Sequence, residues 1–223
     1  MNVADFIDEF RDAVDDHADP PFWSSENIVR YLNEAVQEAC ERAKLIEDRS
    51  TPAVCSITLQ AGESTYPLHP SVFEIKRLTF RGRPLDETSV EELDADVPGW
   101  EARSGQPRLY IFEQASGLRP AQVRLVPTPT ATDTIALTVC RGALKPLSAD
   151  NDAGRPEMPE RFHRRLLDWV LHRAYLKQDA DAFDPSKAAV SLGLFVQAFG
   201  ERPDANVQRK RRDKRPPVVR MHW

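Results

Sequence analysis

The sequence is poor in the residues that reactive and metal-binding sites require. It has three cysteines, Cys40, Cys55 and Cys140, which lie far apart and form no C-x-x-C pair. An odd and dispersed set argues against a disulfide framework and lacks the ligand spacing of a zinc site. We therefore expect the three thiols to pack as small apolar side chains.

Glycine-dependent motifs are also missing. Only nine glycines are present, and neither the phosphate-binding glycine patterns nor the G-x-S-x-G nucleophile motif occurs. His163, Asp168 and His172 are the best metal or acid–base candidates. On one helix, however, Asp168 and His172 lie about 140° and 180° around the axis from His163. They cannot converge on one ion, so we predict no metal, no cofactor and no catalytic residue.

Three acidic pairs could act as carboxylate dyads: Asp15 with Asp16, Glu91 with Glu92, and Asp179 with Asp181. Catalytic carboxylates need a cleft that separates their pKa values. These pairs stand in hydrophilic stretches, which predicts solvated faces instead.

No run approaches the roughly 20 apolar residues that span a bilayer. The N-terminal stretch MNVADFIDEFRDAVDD is acidic and amphipathic, whereas a secretory signal has a basic start and an apolar block. We expect no export segment, no membrane partner, and synthesis in the cytoplasm.

Charge is distributed unevenly. Residues 208–223 contain seven lysines and arginines and one acid, Asp213, so this tail carries a charge of +6. Since the net charge of the whole chain is −5, the remaining residues carry −11. An acidic body with a basic tail predicts that the tail meets an anionic partner. The predicted contact residues of the tail are Arg209, Lys210, Arg211, Arg212, Lys214, Arg215, Arg220 and Trp223.

Helical periodicity appears near both ends of the chain. It predicts helices over 2–16, from a cap at Ser24 to about residue 47, from about Pro159 onward, and from a cap at Asp184 to a stop at Gly200. The third helix is apolar over more than half of its circumference, which favours a central position among the helices.

The middle of the chain alternates with period two. Strands are predicted over 55–60, 65–68, 73–80, 109–112, 123–126 and 135–140, with a short helix over 88–94. The predicted fold class is α+β, a four-helix bundle with a β-rich insert between helix 2 and helix 3 and an extended basic C-terminal tail. The predicted domains are 1–50 with 156–200 (helical bundle), 51–145 (β-rich insert) and 201–223 (tail).

The whole-chain pattern resembles the head-to-tail adaptor, or head completion, proteins of short-tailed phages, the class that includes tail tubular protein A. The resemblance is carried by FWSSENIVRYLNEAVQEACERAKLI (22–46), WEARSGQPRLYIFE (100–113), RLVPTPT (124–130), PERFHRRLLDWVLHRAYLKQDADAFD (159–184) and FVQAFGER (195–202).

This resemblance implies a structural virion protein rather than an enzyme. It implies a homo-oligomeric ring, usually of twelve copies, that docks on the portal protein at the head–tail interface. A tail nozzle or tail tube protein would lie on its other side, and genomic DNA would pass through its lumen. The ring would assemble in the host cytoplasm.

Two alternatives compete with the adaptor prediction. The basic tail could make the chain a non-specific DNA-binding protein, since basic side chains bind phosphates without reading sequence. A virion-associated cell-wall hydrolase would instead need a cleft holding a carboxylate of raised pKa. The sequence offers no candidate for that carboxylate beyond the pairs named above.

Overall fold

The computed structural model of the protein describes residues 1–115, 119–179 and 182–203. Contacts divide the chain into two compact units. We call Met1–Asp48 with Cys140–Arg202 the helical unit, and the body built on Arg49–Val139 the sheet unit. In chain order the elements are α1 (Val3–Val14), α2 (Ser25–Ala43), β1 (Ile46–Asp48), α3 (Pro52–Cys55), β2 (Ser56–Leu59), β3 (Thr65–Pro67), β4 (Val72–Phe80), β5 (Arg83–Glu87), α4 (Val90–Asp96), β6 (Ser104–Gly105), β7 (Leu109–Glu113), β8 (Gln122–Val126), β9 (Thr128–Pro129), β10 (Asp133–Arg141), α5 (His163–Tyr175) and α6 (Pro185–Phe199).

Helices α2 and α6 begin where the sequence places their caps. The Ser24 hydroxyl accepts a hydrogen bond from the Asn27 backbone N–H, which satisfies one free donor at the start of α2. Asp184 caps α6 in the same way through two backbone N–H groups, at 3.0 and 2.9 Å. The predicted starts of these two helices are therefore confirmed.

Helix α5 lies at the centre of the helical unit. It packs against α6, α2 and α1, which confirms the central position expected from its wide apolar face. Its fully buried side chains include Leu166 and Val170, while Trp169 packs on Phe195 of α6 with ring centroids 5.0 Å apart. Burial of such side chains stabilises by about 1.5–3 kcal/mol each.

An arginine joins the ends of α2 and α6. The Arg42 guanidinium donates to Glu38 at 3.1 Å and to the Gly200 carbonyl at 3.2 Å, and it lies 5.2 Å from the Phe195 ring. Arg202 follows α6 and bonds Glu41 at 3.1 Å. These bonds fix the described end of the chain on α2.

A buried ion network joins the two chain segments that form the helical unit. Arg141, at the end of β10, donates to Asp48 of β1 and to Glu157, both at 2.6 Å, and to the Gly142 carbonyl at 2.9 Å. The Arg141 and Asp48 side chains are each only 5% exposed. Burial raises the pKa of Glu157, but the hydrogen bonds from Arg141 and from the Leu144 backbone N–H, together with the charge of Arg141, outweigh that effect and hold the pKa below its ordinary value.

The strands form a large mixed sheet in the order β1-β10-β4-β5-β7-β8-β3, with β2 also paired to β10. Strands β4 and β5 make a hairpin through Arg81 and Gly82, whose φ angles are 49° and 76°. Positive φ at both turn residues matches the right-handed twist of the strands, and glycine adopts it without strain. Strands β5 and β7 are parallel, whereas β7 and β8 are antiparallel.

The buried residues of the sheet unit include the apolar residues that alternate with polar ones along the sequence of β10. Ile135, Leu137 and Val139 of β10 are each at most 2% exposed, which confirms that they share a buried face. A smaller cluster forms around Trp100, whose indole N–H donates to Asp94 at 2.8 Å. The Arg124 guanidinium lies 4.6 Å from the Trp100 ring.

The predicted fold class is wrong. The described residues contain six helices and a large mixed sheet, and not a four-helix bundle with a small β-rich insert. The strands of the sheet come from distant parts of the chain, from β1 at Ile46–Asp48 to β10 at Asp133–Arg141. Periodicity identified strands singly, but partners that are distant in sequence, such as β2 with β10, leave no periodic signal.

Replacing Arg141 with methionine is expected to destabilise the protein by about 3–5 kcal/mol, because Asp48 would be left buried without its cation. Urea unfolding followed by circular dichroism measures the change. Arg164→Met is the matched control: its side chain is 82% exposed, so a change within about 0.5 kcal/mol is expected. Equal losses in the two variants would contradict the proposed importance of the network.

The Glu157 carboxyl also predicts a pH dependence. Its folded pKa lies below the ordinary 4.5, so its contribution to stability is present above about pH 4.5. That contribution is lost as the pH falls through the lower folded pKa. Unfolding titrations from pH 6 to pH 3 should therefore show a fall in stability that is smaller in Glu157→Gln than in the wild type. An unchanged pH profile in Glu157→Gln would count against this role.

Candidate interaction surfaces

The predicted contact residues of the basic tail, from Arg209 to Trp223, lie outside the described residues. The described part of the predicted tail domain is 201–203. Of these, Arg202 is held on α2 by Glu41 at 3.1 Å and by Glu38 at 3.8 Å.

The residues considered for a metal site serve separate structural roles. His163 is buried, and its Nε2 lies 3.0 Å from the Met158 carbonyl oxygen. His172 instead pairs its Nδ1 with the Ala188 carbonyl oxygen at 2.9 Å, which joins α5 to α6. The two imidazoles are therefore engaged with different backbone groups.

Asp168 is the third residue of that set. Its side chain is 16% exposed, and burial raises the pKa of its carboxyl, with Arg165 at 3.9 Å opposing the shift. Its Oδ2 has no hydrogen-bond partner among the described residues. The charge that lies beside this carboxyl is that of Arg165.

Among the acidic pairs, Asp16 departs from the solvated face that the sequence predicts. Asp16 is buried and accepts hydrogen bonds from the backbone N–H groups of Phe22 and Trp23, at 2.8 and 2.9 Å. It therefore shapes the turn between α1 and α2. Its neighbour Asp15 is 97% exposed, as predicted, while Asp181 lies outside the described residues.

A concave surface opens beside that turn, and we call it the aromatic groove. It encloses about 600 Å³ and lies within the helical unit. Its aromatic wall is formed by Phe22, Trp23, Tyr175 and Phe183, and Lys187 of α6 also lines it. The Lys177 ammonium lies 4.1 Å from the Phe22 ring and 4.6 Å from the Trp23 ring, a cation–π arrangement.

The outer side of α6 forms a second surface, the α6 ridge, which consists of Ala189, Val190, Gly193 and Leu194. All four are exposed, with Val190 exposed by 66% and Leu194 by 41%. Residues 188–200 contain no charged side chain. A Cβ added to Gly193 would meet nothing within 4 Å, so this side of the helix is open.

The ridge runs on from the groove. Lys187 lines the groove, and Leu194 lies seven residues after it on α6. At 100° per residue, the two side chains lie within about 20° of each other around the helix axis. The exposed large hydrophobic residues of the described chain all fall in the helical unit: Phe22, Leu176, Phe183, Val190 and Leu194. Exposed apolar surface that is concentrated in one part of a protein is typical of interaction sites.

The sequence interpretation missed both surfaces. Helical periodicity predicts that one side of α6 is buried, but it does not indicate what covers the other side. The signal was available, because a stretch of 13 uncharged residues is unusual in a chain that is 29% charged. The groove had no such signal, since its walls come from residues that are distant in sequence.

The described residues contain no group of histidine, cysteine, aspartate or glutamate side chains that could hold a metal ion. Cys40, Cys55 and Cys140 are buried, and burial raises the pKa of the Cys40 thiol to about 11. In the described part of the chain, no helix combines the length and apolar character needed to cross a membrane.

Comparison with known proteins gives one family. The family model described as "SU10 adaptor protein" matches residues 1–221, which is nearly the whole chain. No curated protein matches the sequence. The match confirms the resemblance to phage head-to-tail adaptors that the sequence carries. The chain therefore belongs to the SU10 adaptor protein family, a family of phage structural adaptors.

Proposed function

We propose that this chain is a subunit of a homo-oligomeric ring, of about twelve copies, that joins the portal of the phage head to the tail. One face of the ring docks on the portal protein, and the other meets a tail nozzle or tail tube protein. The lumen forms part of the channel through which the genome leaves the capsid.

The observation that carries this proposal is the family match over residues 1–221. The apolar surfaces of the helical unit support it, because a ring subunit must bury surface against its neighbours. The charge distribution agrees with it as well. A body that carries −11 repels DNA phosphates, which would let DNA slide past the lumen wall without binding.

The basic tail is proposed to contact the portal or the DNA. Its seven cations and Trp223 stand within 16 residues, so the tail presents a dense positive charge to an anionic surface. Twelve tails in one ring would concentrate this charge, with screening beyond roughly 10 Å at 0.1 M salt. The same charge supports a second candidate, a non-specific DNA-binding protein that acts through the tail.

Electron microscopy of the purified chain mixed with its portal protein tests the adaptor proposal. The expected result is a ring of the chain docked coaxially on the portal, and particles lacking the chain should fail to join heads to tails. A chain that stays monomeric and ignores the portal would overturn the proposal.

Neutralising the tail tests its role. We expect Arg209→Gln, Lys210→Gln, Arg211→Gln and Arg212→Gln together to weaken portal binding about tenfold or more at 0.1 M salt, since four charge pairs contribute up to about 1 kcal/mol each. The difference should shrink at 0.5 M salt because the contact is electrostatic. Fluorescence anisotropy of labelled chain measures both affinities.

Arg164→Gln with Arg165→Gln provides the control, because these exposed cations lie on α5 and outside the tail. Binding of the monomer to random duplex DNA, with a steep salt dependence that the tail variant loses, would favour the DNA-binding candidate. Unchanged affinity of the tail variant for both portal and DNA would refute a contact role of these four cations.

A further inference from the structure

We infer that, in the unassembled subunit, the end of the basic tail binds the aromatic groove of its own chain. Residues 216–223 are the occupant of the groove. The preceding residues 209–215, which we call the basic block, lie along an acidic helix beside it. The contact forms within one chain, so it goes beyond the proposed ring and does not depend on it.

The acidic charge of the protein is concentrated in the part of the chain that forms one side of the groove. Residues 1–48 contain thirteen acids and four cations, so they carry −9 of the −11 that stands outside the tail. Helix α1 and its C-cap display part of this charge as a row of exposed aspartates, which we call the acidic stripe: Asp5, Asp8, Asp12 and Asp15. The first three lie within about 60° of one another around the helix axis, and the fourth lines the groove.

The acidic stripe is an unfavourable arrangement without a cationic partner. Like charges three or four residues apart on a helix repel each other, and acids near a helix C-terminus oppose the helix dipole. Within the described part of the chain, the ionic neighbour of Asp12 and Asp15 is His17, at 3.7 and 3.8 Å. The basic block holds six cations and one acid, so placing it along the stripe would relieve this repulsion.

Residues 216–223 have the chemistry that an aromatic groove accepts. Their sequence is PPVVRMHW, in which Val219, Met221 and Trp223 alternate with Arg220 and His222. Alternate side chains of an extended segment point to opposite sides, so the three apolar groups would share one side. Methionine sulfur and aromatic rings both pack favourably on aromatic side chains, of which the groove offers four.

The groove has a size and a charge that suit this segment. Its volume of about 600 Å³ falls within the roughly 300–1,000 Å³ of clefts that bind small ligands. Three acids line it beside the aromatic rings: Asp15, Asp16 and Asp184. Lys177 and Lys187 oppose them, which leaves an excess of one negative charge. Arg220 supplies one positive charge to the entering segment, so the two charges are complementary.

The described chain stops within reach of the groove. Arg202 is bonded to Glu41 of α2, beside the C-terminal end of α6, whereas the groove lies at the N-terminal end of α6. Thirteen residues of helix separate Lys187 from Gly200, a distance of about 20 Å. The twelve residues 204–215 span up to about 40 Å, so they are long enough to deliver residues 216–223 to the groove.

A tethered occupant needs far less buried surface than a separate protein. The exposed aromatic wall of the groove is small, with Phe183 51% exposed and Phe22 43% exposed. A standard interface between two proteins buries about 800 Å² on each partner, which this wall does not provide. A short linker, however, gives its two ends an effective concentration in the millimolar range. A free partner at about 1 µM would need roughly a thousandfold higher affinity to fill the groove equally.

In the proposed adaptor, the contact would keep the tail and the groove paired with each other until assembly. A portal or DNA surface that attracts the basic block would release residues 216–223 and uncover the groove. This consequence rests on the proposed function, whereas the contact itself does not.

An engineered disulfide tests the contact in the isolated full chain. Ala13 lines the groove and is exposed, so Ala13→Cys with Met221→Cys should fold and leave Val219 and Trp223 in place. Mild oxidation should give an intramolecular disulfide in at least half of the molecules, and tenfold dilution should not change the yield. The native cysteines are buried and do not compete. Disulfide-linked dimers in place of the intramolecular product would place the tail on a neighbouring copy and overturn the inference.

Thr132→Cys with Met221→Cys is the matched control. Thr132 is exposed in the sheet unit, so this pair should react at least fivefold more slowly than the pair with Ala13→Cys. Equal rates would mean that the tail collides with the whole surface alike, which overturns a specific contact.

Neutralising two acids of the stripe tests the role of charge. Asp12→Asn with Asp15→Asn should slow the reaction of the Ala13→Cys and Met221→Cys pair at least threefold at 0.05 M salt, and less at 0.5 M salt. Removing nearby acids makes a thiol more reactive, so a slower reaction reports loss of the contact. Asparagine also tolerates the left-handed backbone of Asp15, whose φ is 57°. Glu63→Gln with Glu91→Gln, at two exposed acids of the sheet unit, should leave the rate unchanged, and an equal loss would contradict the stripe.

Competition with a synthetic peptide of residues 216–223 identifies the occupant. Full-length chain carrying Met221→Ser and Trp223→Ser should bind the labelled peptide at least tenfold more tightly than the wild type, whose own tail fills the groove. Adding Phe183→Asp to that variant should abolish binding. Equal affinity of the wild type and the variant, or no binding to the variant at 1 mM peptide, would overturn the inference. These measurements use no portal protein, so their failure leaves the adaptor proposal standing, and a chain that ignores the portal does not affect them.

Discussion

The fold of the helical unit depends on one buried cation. Arg141 stands where the last strand ends, and it bonds one acid before the sheet segment and one acid in the connection toward α5. Two charges that are each 5% exposed carry a large desolvation cost, which only their mutual attraction and added hydrogen bonds offset. Asp48 precedes the sheet unit in sequence, whereas Arg141 and Glu157 follow it. The network therefore joins the two chain segments that make up the helical unit.

The helices were predictable because their signals are local. Ser24 and Asp184 begin helices through hydrogen bonds to backbone groups two or three residues away, so the residue type at one position is sufficient evidence. The burial of Ile135, Leu137 and Val139 was predictable for a similar reason, since alternation needs only a few neighbours. The sheet was not predictable in this way. Its order depends on pairings such as Asp133 with Leu59, and no short window of sequence contains both.

The same distinction explains the interaction surfaces. The charge of the tail is a property of consecutive residues and can be counted directly. The aromatic groove is assembled from the turn after α1 and the segments on either side of the α5–α6 connection. Asp16 illustrates the difficulty, because an acid in a hydrophilic stretch turns out to be buried and to hold the backbone of Phe22 and Trp23. The sequence predicts that the chain turns between residue 16 and Ser24, but neither composition nor periodicity reveals that Asp16 is buried in this turn.

Charge and apolar surface are separated in this chain, and the separation has a physical consequence for an adaptor. Apolar contacts between copies are insensitive to salt, so a ring that they hold together would stay closed as ionic conditions change. Electrostatic contacts through a tail that carries +6 respond strongly to ionic strength and require little shape complementarity. In the proposed ring, the apolar surfaces of the helical unit would serve contacts that must persist, and the tail would serve a contact that responds to ionic strength.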